Sequence, residues 1–487
     1  MAIALIVITS CEYEGTFYDE IQISKSGVIT MTTSMSGRPF TIELYGTGTA
    51  TIDWGDGTEI ETITLGDIDE YASFSHEYTG SNSRTITIKG VNITHLHSSY
   101  NLLTELDLRN NHALKGLVIY SEHFLTNLDL SNNTALTYLV IYGTELTNLD
   151  LSNNTALTGL LIMGRHFFTN LDLSNNTALT DLYIEGTQLT NLDLSNNTTL
   201  TSLTIYGQLT NLDLSNNTAL TNLTIFAHLS NLDLICNTAL TNLCINGLTN
   251  LDLTKNTALK SLEIFGGQLT NLDLSINTAL TNLEIFGTQL TNLDLSINTA
   301  LTNLYIEGTQ LTNLDLSNNP ALTNLQINGT QLTNLDLSNN PALTYLYCYG
   351  NQLIELNLSQ NAALTELRCW NNQLTSLDVN NCTKLVELHC SDNQLTSLDV
   401  NNCTKLVELD CSYNQLTSLN VSGATELTIM YCRNNQLSTG AINALFETLH
   451  SNNIAIKTIN IVGNPGTADC DRSIAENKGW NVMWYDF

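Results

Sequence analysis

The feature that most constrains this chain is a unit that returns about every 21 residues. From Asp129 onward it reads Leu-Thr-Asn-Leu-Asp-Leu-Ser-Asn-Asn-Thr-Ala-Leu-Thr, then a variable Leu-x-Ile, then Gly-Thr-Gln. Its aspartates mark the coils as Asp107, Asp129, Asp150, Asp172 and onward to Asp399, with Asn357 and Asn420 filling the same column. Units of this kind bury their apolar faces only against their neighbours, so the chain lengthens by adding coils. A length of 487 residues therefore does not by itself demand several compact domains.

Each period holds two copies of a shorter pattern, Leu-x-Leu-x-x-Asn. In the first, Leu149-Asp150-Leu151 leads to Asn154; in the second, Leu346-Tyr347-Cys348 leads to Asn351. Alternating inward residues predict two short strands per coil, stacked into parallel sheets with neighbours about 4.8 Å apart. The doubled pattern resembles the 21-residue bacterial class of leucine-rich repeats over roughly residues 92–440. The expected fold is mainly β, a solenoid of about sixteen coils over 91–440.

The flanks read differently. Thr41-Ile42-Glu43-Leu44, Ala50-Thr51-Ile52-Asp53-Trp54 and Thr85-Ile86-Thr87-Ile88 alternate as strands separated by turns, which predicts a small β-sandwich over 20–90. Trp54-Gly55-Asp56-Gly57-Thr58 followed by His76-Glu77-Tyr78 resembles the PKD-like, immunoglobulin-like modules of bacterial surface proteins. Behind the repeats, 441–487 predicts an α/β cap: a helix over 441–450, a strand at 457–462, a short helix near 473–477 and a last strand at 480–484. Such an end covers the exposed core of the final coil.

At the start, the apolar run Ala2 to Ile8 followed by Thr9-Ser10-Cys11 resembles a bacterial lipobox, whose cysteine is lipidated. Residues 1–19 are thus expected to be a lipoprotein signal and tether, with Cys11 as the anchor. Taken together, the segments resemble a Bacteroidetes-like leucine-rich-repeat surface lipoprotein. That resemblance implies a location on the outer membrane at the cell surface.

Sixteen Lys and Arg against 47 Asp and Glu give a formal charge of −31, which repels nucleic acid and anionic membrane surfaces. Basic or neutral partners fit better. No Gly-x-Ser-x-Gly elbow, phosphate-cradling glycine loop or His-Glu-x-x-His occurs, and His123 and His166 sit two coils apart. The expectation is a binding protein with no catalytic residues, no cofactor and no metal site.

Several columns have two readings. Cys348, Cys369, Cys390, Cys411 and Cys432 lie 21 apart, a spacing open to a metal spine or a disulfide ladder, but they share a column with Ile141, Ile162 and Ile184 and so read as packed free thiols. The asparagine column of Asn154, Asn176 and Asn197 reads as an amide ladder inside the scaffold. The aspartate column reads as a solvated face, with weak cation binding as the alternative.

The second strand varies outward from coil to coil and carries the candidate recognition face. Its residues are Tyr120, Tyr142, Tyr206, Phe226, Phe265, Phe286, Tyr305, Tyr347, Tyr349, Arg368, Trp370 and Tyr431. Exposed Tyr, Trp and Arg on a rigid platform anchor protein interfaces, and aromatic faces also stack on sugars. The alternative is that the rings stack on each other along the solenoid for stability. A protein partner is the expected ligand, with a glycan or a purely structural stalk as the rivals.

Overall fold

The computed structural model describes residues 27–34, 39–66, 72–78, 82–120, 124–453 and 456–484. Cys11, the apolar run before it and the tether lie outside these residues, as does His123. The chain forms two compact units, Met1–Leu229 and Ser230–Phe487.

In the first unit, alternating burial builds a two-sheet module. Val28–Thr33 and Pro39–Gly46 each present every second residue to a core of Ile29, Met31, Phe40, Ile42, Leu44, Ile52, Trp54, Ile86 and Ile88. One sheet runs Glu61–Thr64, Thr49–Asp53, Arg84–Lys89, Val28–Thr33, Leu103–Asp107, with antiparallel neighbours. The other places Pro39–Gly46 between Ala72–Glu77 and Ile93–Ser99.

Neither sheet stops at the expected boundary near residue 90. Ile93–Ser99 pairs antiparallel with the module on one edge and parallel with Gly116–Tyr120 of the next coil on the other. Leu103–Asp107 pairs with Val28–Thr33 while already carrying the Leu-x-Leu pattern of a repeat. The module is continuous with the first coil through both of its sheets.

Within the coils, the leucines at the repeated positions are buried almost completely, Leu251 being half-buried. Parallel pairing in strict register stacks Tyr138–Tyr142 on Gly159–Met163, and the same ladder runs on through Asp181–Glu185, Ser202–Tyr206 and Asn222–Phe226. In the second unit it runs from Asn242–Asn246 through Asn324–Asn328 in five-residue strands, then from Tyr345–Tyr347 to Ile429–Tyr431 in three-residue strands.

Of the two strands expected per coil, only this one forms a full ladder. The Leu-Asp-Leu segments are joined by single bridges at Asp107–Asp129, Asp378–Asp399 and Asp399–Asn420 among the described residues. The carbonyl that ends each segment is turned to the following turn and the next coil's amide: Leu151 O accepts the backbone N–H of Asn154 at 3.0 Å and the side-chain amide of Asn176 at 3.1 Å.

The asparagine ladder is real but runs to the backbone. Asn154 Nδ2 donates to Leu130 O and Asn133 O, and Asn176 Nδ2 repeats this one coil on. These side chains are wholly buried. The cysteine column packs inward at 0% exposure, and every described cysteine is a free thiol. Burial pushes the Cys348 and Cys432 thiols up to about 12, and the others in the column upward as well.

The end of the chain borrows the coil's frame. A helix at Thr439–Thr448, capped by Ser438 Oγ accepting from Ala441 N, buries Ile442, Leu445 and Phe446. Lys457–Asn460 then pairs parallel with Ile429–Tyr431, a short helix forms at Ser473–Glu476, and Trp480–Met483 adds the last strand. Among the described residues, no helix is long and apolar enough to cross a membrane.

Candidate functional site

Because strand side chains alternate, the five-residue strands send their first, third and fifth residues outward and bury the second and fourth, except that Val140 and Asn328 are buried as well. The outward side chains form three rows along each unit, and the sequence-derived candidates fall in the second and third rows. The structure groups them into clusters instead of one continuous face.

In the first unit, Tyr120 lies 5.5 Å from Tyr142 and also contacts Tyr100 and His97. Tyr206 stacks on Phe226 at 5.0 Å and 15°, with Tyr183 at 6.0 Å. In the second unit, Phe265 and Phe286 stack at 4.6 Å and 4°, and Tyr305 tilts against Phe286 at 4.6 Å. Tyr349 and Trp370 stack at 4.1 Å and 6°, with His389 edge-on to Trp370. Ring faces engaged this closely are spent on one another. Tyr142 and Tyr206 retain 42% and 36% of their surface exposed.

Charge is woven between the rings. The Arg368 guanidinium lies 4.8 Å over the Tyr347 ring and pairs with Glu366 at 2.5 Å and Glu387 at 3.1 Å. Tyr347 Oη donates to Glu366 at 2.5 Å, and burial with that carboxylate pushes the phenol up to about 12. Tyr305 is held likewise by burial and by Glu307, also at about 12. Arg368 is thus already paired within its own face. Glu263 and Glu284 stand in register on adjacent strands. Tyr431 closes the row beside Asp410 and Asn460.

The first outward row, passed over in the sequence, contains a depression of about 340 Å³ in the first unit. Its walls include Tyr138, Leu161, Asp181, Tyr183 and Thr204, with Gly159 in the floor. Gly159, set between Tyr138 and Asp181 in the same row, was the signal that could have found it.

The aspartate side behaves otherwise. Asp150 Oδ1 accepts Ser152 N at 3.0 Å, and Asp193 and Asp213 bind Ser195 N and Ser215 N the same way at 2.9 Å. These hydrogen bonds hold the carboxyls below their usual range. Each aspartate closes its own turn. Shallow grooves between coils, one of about 260 Å³ between Asp193 and Asp213, repeat along this side. Among the described residues, no group of three or more His, Cys, Asp or Glu is placed to hold a metal ion. His166 is buried between Thr144 and the Met163 carbonyl, and burial lowers its pKa.

In the amino-terminal module the Trp54, Asp56, His76 and Tyr78 set is structural. Asp56 accepts from Thr58 and pairs with His76 at 2.7 Å, while His76 stacks on Trp54 at 4.9 Å. Tyr78 Oη donates to Trp54 O. The Asp56 carboxyl is held at about 2, first by the Thr58 hydroxyl.

Comparison with known proteins fits this geometry. A family model described as Leucine Rich repeats (2 copies) matches residues 383–424. No curated protein sequence matches significantly. Among solved structures, the functional domain of InlJ from Listeria monocytogenes, described as including a cysteine ladder, is 30% identical, with a TM-score of 0.55 over 77% of this chain and 76% of that one. A leucine-rich-repeat protein of Leptospira interrogans shares the fold at 22% identity, with a TM-score of 0.59 over 74% of this chain and 93% of that one. The plant peptide hormone receptor RGFR1, solved in complex with RGF2, shares it at 16% identity and a TM-score of 0.52, over 78% of this chain and 69% of that one. On the InlJ identity and coverage, together with the stacked leucine coils, the chain belongs to the leucine-rich-repeat family of solenoid proteins.

Proposed function

We propose that this chain is a non-enzymatic, adhesin-like protein that binds a protein of a host or neighbouring cell through the variable strand face. The observation that carries the reading is a contrast between columns. Buried leucines and asparagines repeat from coil to coil, whereas outward strand residues are individual and leave Tyr138, Tyr142 and Tyr206 exposed. Side chains of that type on a rigid sheet are what protein interfaces use as anchors. The fold's capacity to hold a polypeptide ligand is illustrated by RGFR1 with RGF2.

In the same reading, residues 1–19 supply the signal and a lipid anchor at Cys11, and the protein stands on the bacterial outer membrane at the cell surface. The module over 20–90 begins the solenoid of 91–440, and 441–487 caps it. The tight stacks at Phe265–Phe286 and Tyr349–Trp370 favour a supporting role for those rings. Recognition then falls on the exposed tyrosines.

The test is a binding screen of the full chain against extracellular-matrix proteins and a glycan array, run beside a Tyr142→Ser/Tyr206→Ser variant. Circular dichroism checks that the variant folds. A protein ligand held by the parent and lost by the folded variant supports the reading. A glycan lost in the same way replaces it with a carbohydrate-binding role, and equal behaviour of parent and variant replaces it with a stalk.

A further inference from the structure

The depression in the first unit has a shape and a chemistry that point to one kind of occupant. Gly159 sits mid-sheet, and its backbone is not among the left-handed positions that require glycine. What requires the missing Cβ is its neighbour. A Cβ at 159 would lie 2.7 Å from Tyr138 Cδ2 and 2.9 Å from Cε2, so the Tyr138 ring leans over the glycine. That leaves open space above Leu161, bounded by Tyr138 on one side and by Asp181 and Tyr183 on the other.

Asp181 is surface-exposed, and its Oδ2 accepts one hydrogen bond, from Thr180 Oγ1 at 2.7 Å. A carboxylate has room for several donors. Tyr183 Oη is already turned to Glu185 at 2.8 Å, which fixes the ring as a wall. Burial raises the Tyr138 phenol, with Asp181 adding to the effect, so the wall stays neutral. None of the lining residues carries positive charge, and the chain bears −31 overall. At about 340 Å³ the space is at the small end of binding pockets and suits a single side chain.

We propose that the depression walled by Tyr138 and Tyr183 is a specificity pocket for one cationic side chain, arginine or lysine, of a protein partner. The aliphatic stem packs on Leu161 and the tyrosine faces, the cation meets the ring faces, and its N–H groups donate to Asp181. The inference rests on the protein-binding reading of the strand face and narrows it to a basic residue at one point.

The experiment uses the full chain with ring-labelled tyrosine, titrated with acetyl-arginine methylamide and with its uncharged citrulline counterpart, and followed by NMR. Tyr138 and Tyr183 resonances are assigned by Tyr→Phe substitution. The arginine probe is expected to shift both rings saturably, with the citrulline probe weaker by about ten-fold or more. Asp181→Asn, a change at an exposed carboxylate, should weaken the arginine probe to a similar extent, and Gly159→Ala should displace the Tyr138 ring and weaken it too.

Equal shifts from the two probes, no shift with the parent, or full binding by Asp181→Asn would overturn the proposal. So would N-acetylglucosamine shifting the same rings where arginine does not. The arginine–citrulline comparison is made on the parent and stands even if a variant misfolds. Saturable arginine binding without a protein ligand in the screen would fault the reading of the face and leave the pocket. A protein ligand bound equally by parent and Asp181→Asn would fault the pocket and leave the face.

Discussion

Two stretches of the second unit solve the same problem at opposite turns. From Asn256 to Asn361 the buried amide ladder lies at the turn after Leu-Asp-Leu, where each Nδ2 donates to two backbone carbonyls of the coil before. In that stretch the other turn carries Gly-Thr at Gly287-Thr288, Gly308-Thr309 and Gly329-Thr330. From Asn351 to Asn464 the ladder lies at the other turn, and the first position becomes Cys382, Cys403 and Ala424. The later asparagines are better satisfied. Asn393 Nδ2 faces Cys369 O, Cys390 O and Ser391 O, and its Oδ1 accepts Leu374 N. Asn298 Oδ1, by contrast, has no partner. The later amides also claim the carbonyls that would extend the strand, which accounts for three-residue strands where the earlier coils have five. A coil needs one internal amide to close its backbone, and either turn can hold it.

Alkaline pH should separate the stretches most. The later stretch stacks thiols whose pKa is raised by burial, so their contribution to stability is complete below about 9 and is lost as pH climbs toward 12. The isoleucine column of the earlier coils has nothing to ionise. Cys369→Val/Cys390→Val should therefore move the alkaline unfolding transition, followed by circular dichroism, to higher pH. An unchanged midpoint would mean that the thiols are not what limits it.

Next in size are the amides. Asn393→Ala strips donors and an acceptor from buried backbone and should cost about 3 kcal/mol, whereas Asn298→Ala should cost about 2 kcal/mol. Urea denaturation with hydrogen exchange read at the Leu374 amide tests both. The reverse order would break the contrast. Smaller still is Gly329→Asn. Gly329 has φ +56° and nothing within 4 Å of an added Cβ, and Asn371 holds the equivalent position at φ 53°, so the change should cost under about 1 kcal/mol. The smallest is Thr288→Val: the hydroxyl is buried without a partner, so thermal melting should stay within about 0.5 kcal/mol of the parent or improve on it.

Much of this was legible because the chain repeats itself. A column holding Ile141, Ile162 and Cys390 by turns has to be a packed interior position, and the structure buries all three fully. The single ladder per coil was not legible, since Leu149-Asp150-Leu151 alternates as well as any strand. Hydrogen bonding between the backbones of successive coils, which side-chain alternation does not report, decides the matter. Nor did the seam at residue 90 show, because Ile93–Ser99 serves the module and the first coil with one alternating pattern. The aromatic residues were found, but their grouping was not, since ring stacking depends on which rows face each other. Tyr138 and Asp181 were missed because their row looked like ordinary polar strand surface.

The seam has a consequence for how the chain finds its fold. Neighbouring coils are close to interchangeable, so a strand that docks one repeat too early meets nearly the same leucines and asparagines as its proper partner. Misalignment by a whole coil is the characteristic error of such a sequence. Tyr45 opposite His95 can form in only one alignment, because no other coil carries a histidine at that position. The amino-terminal module thus supplies the origin from which the copies behind it are counted.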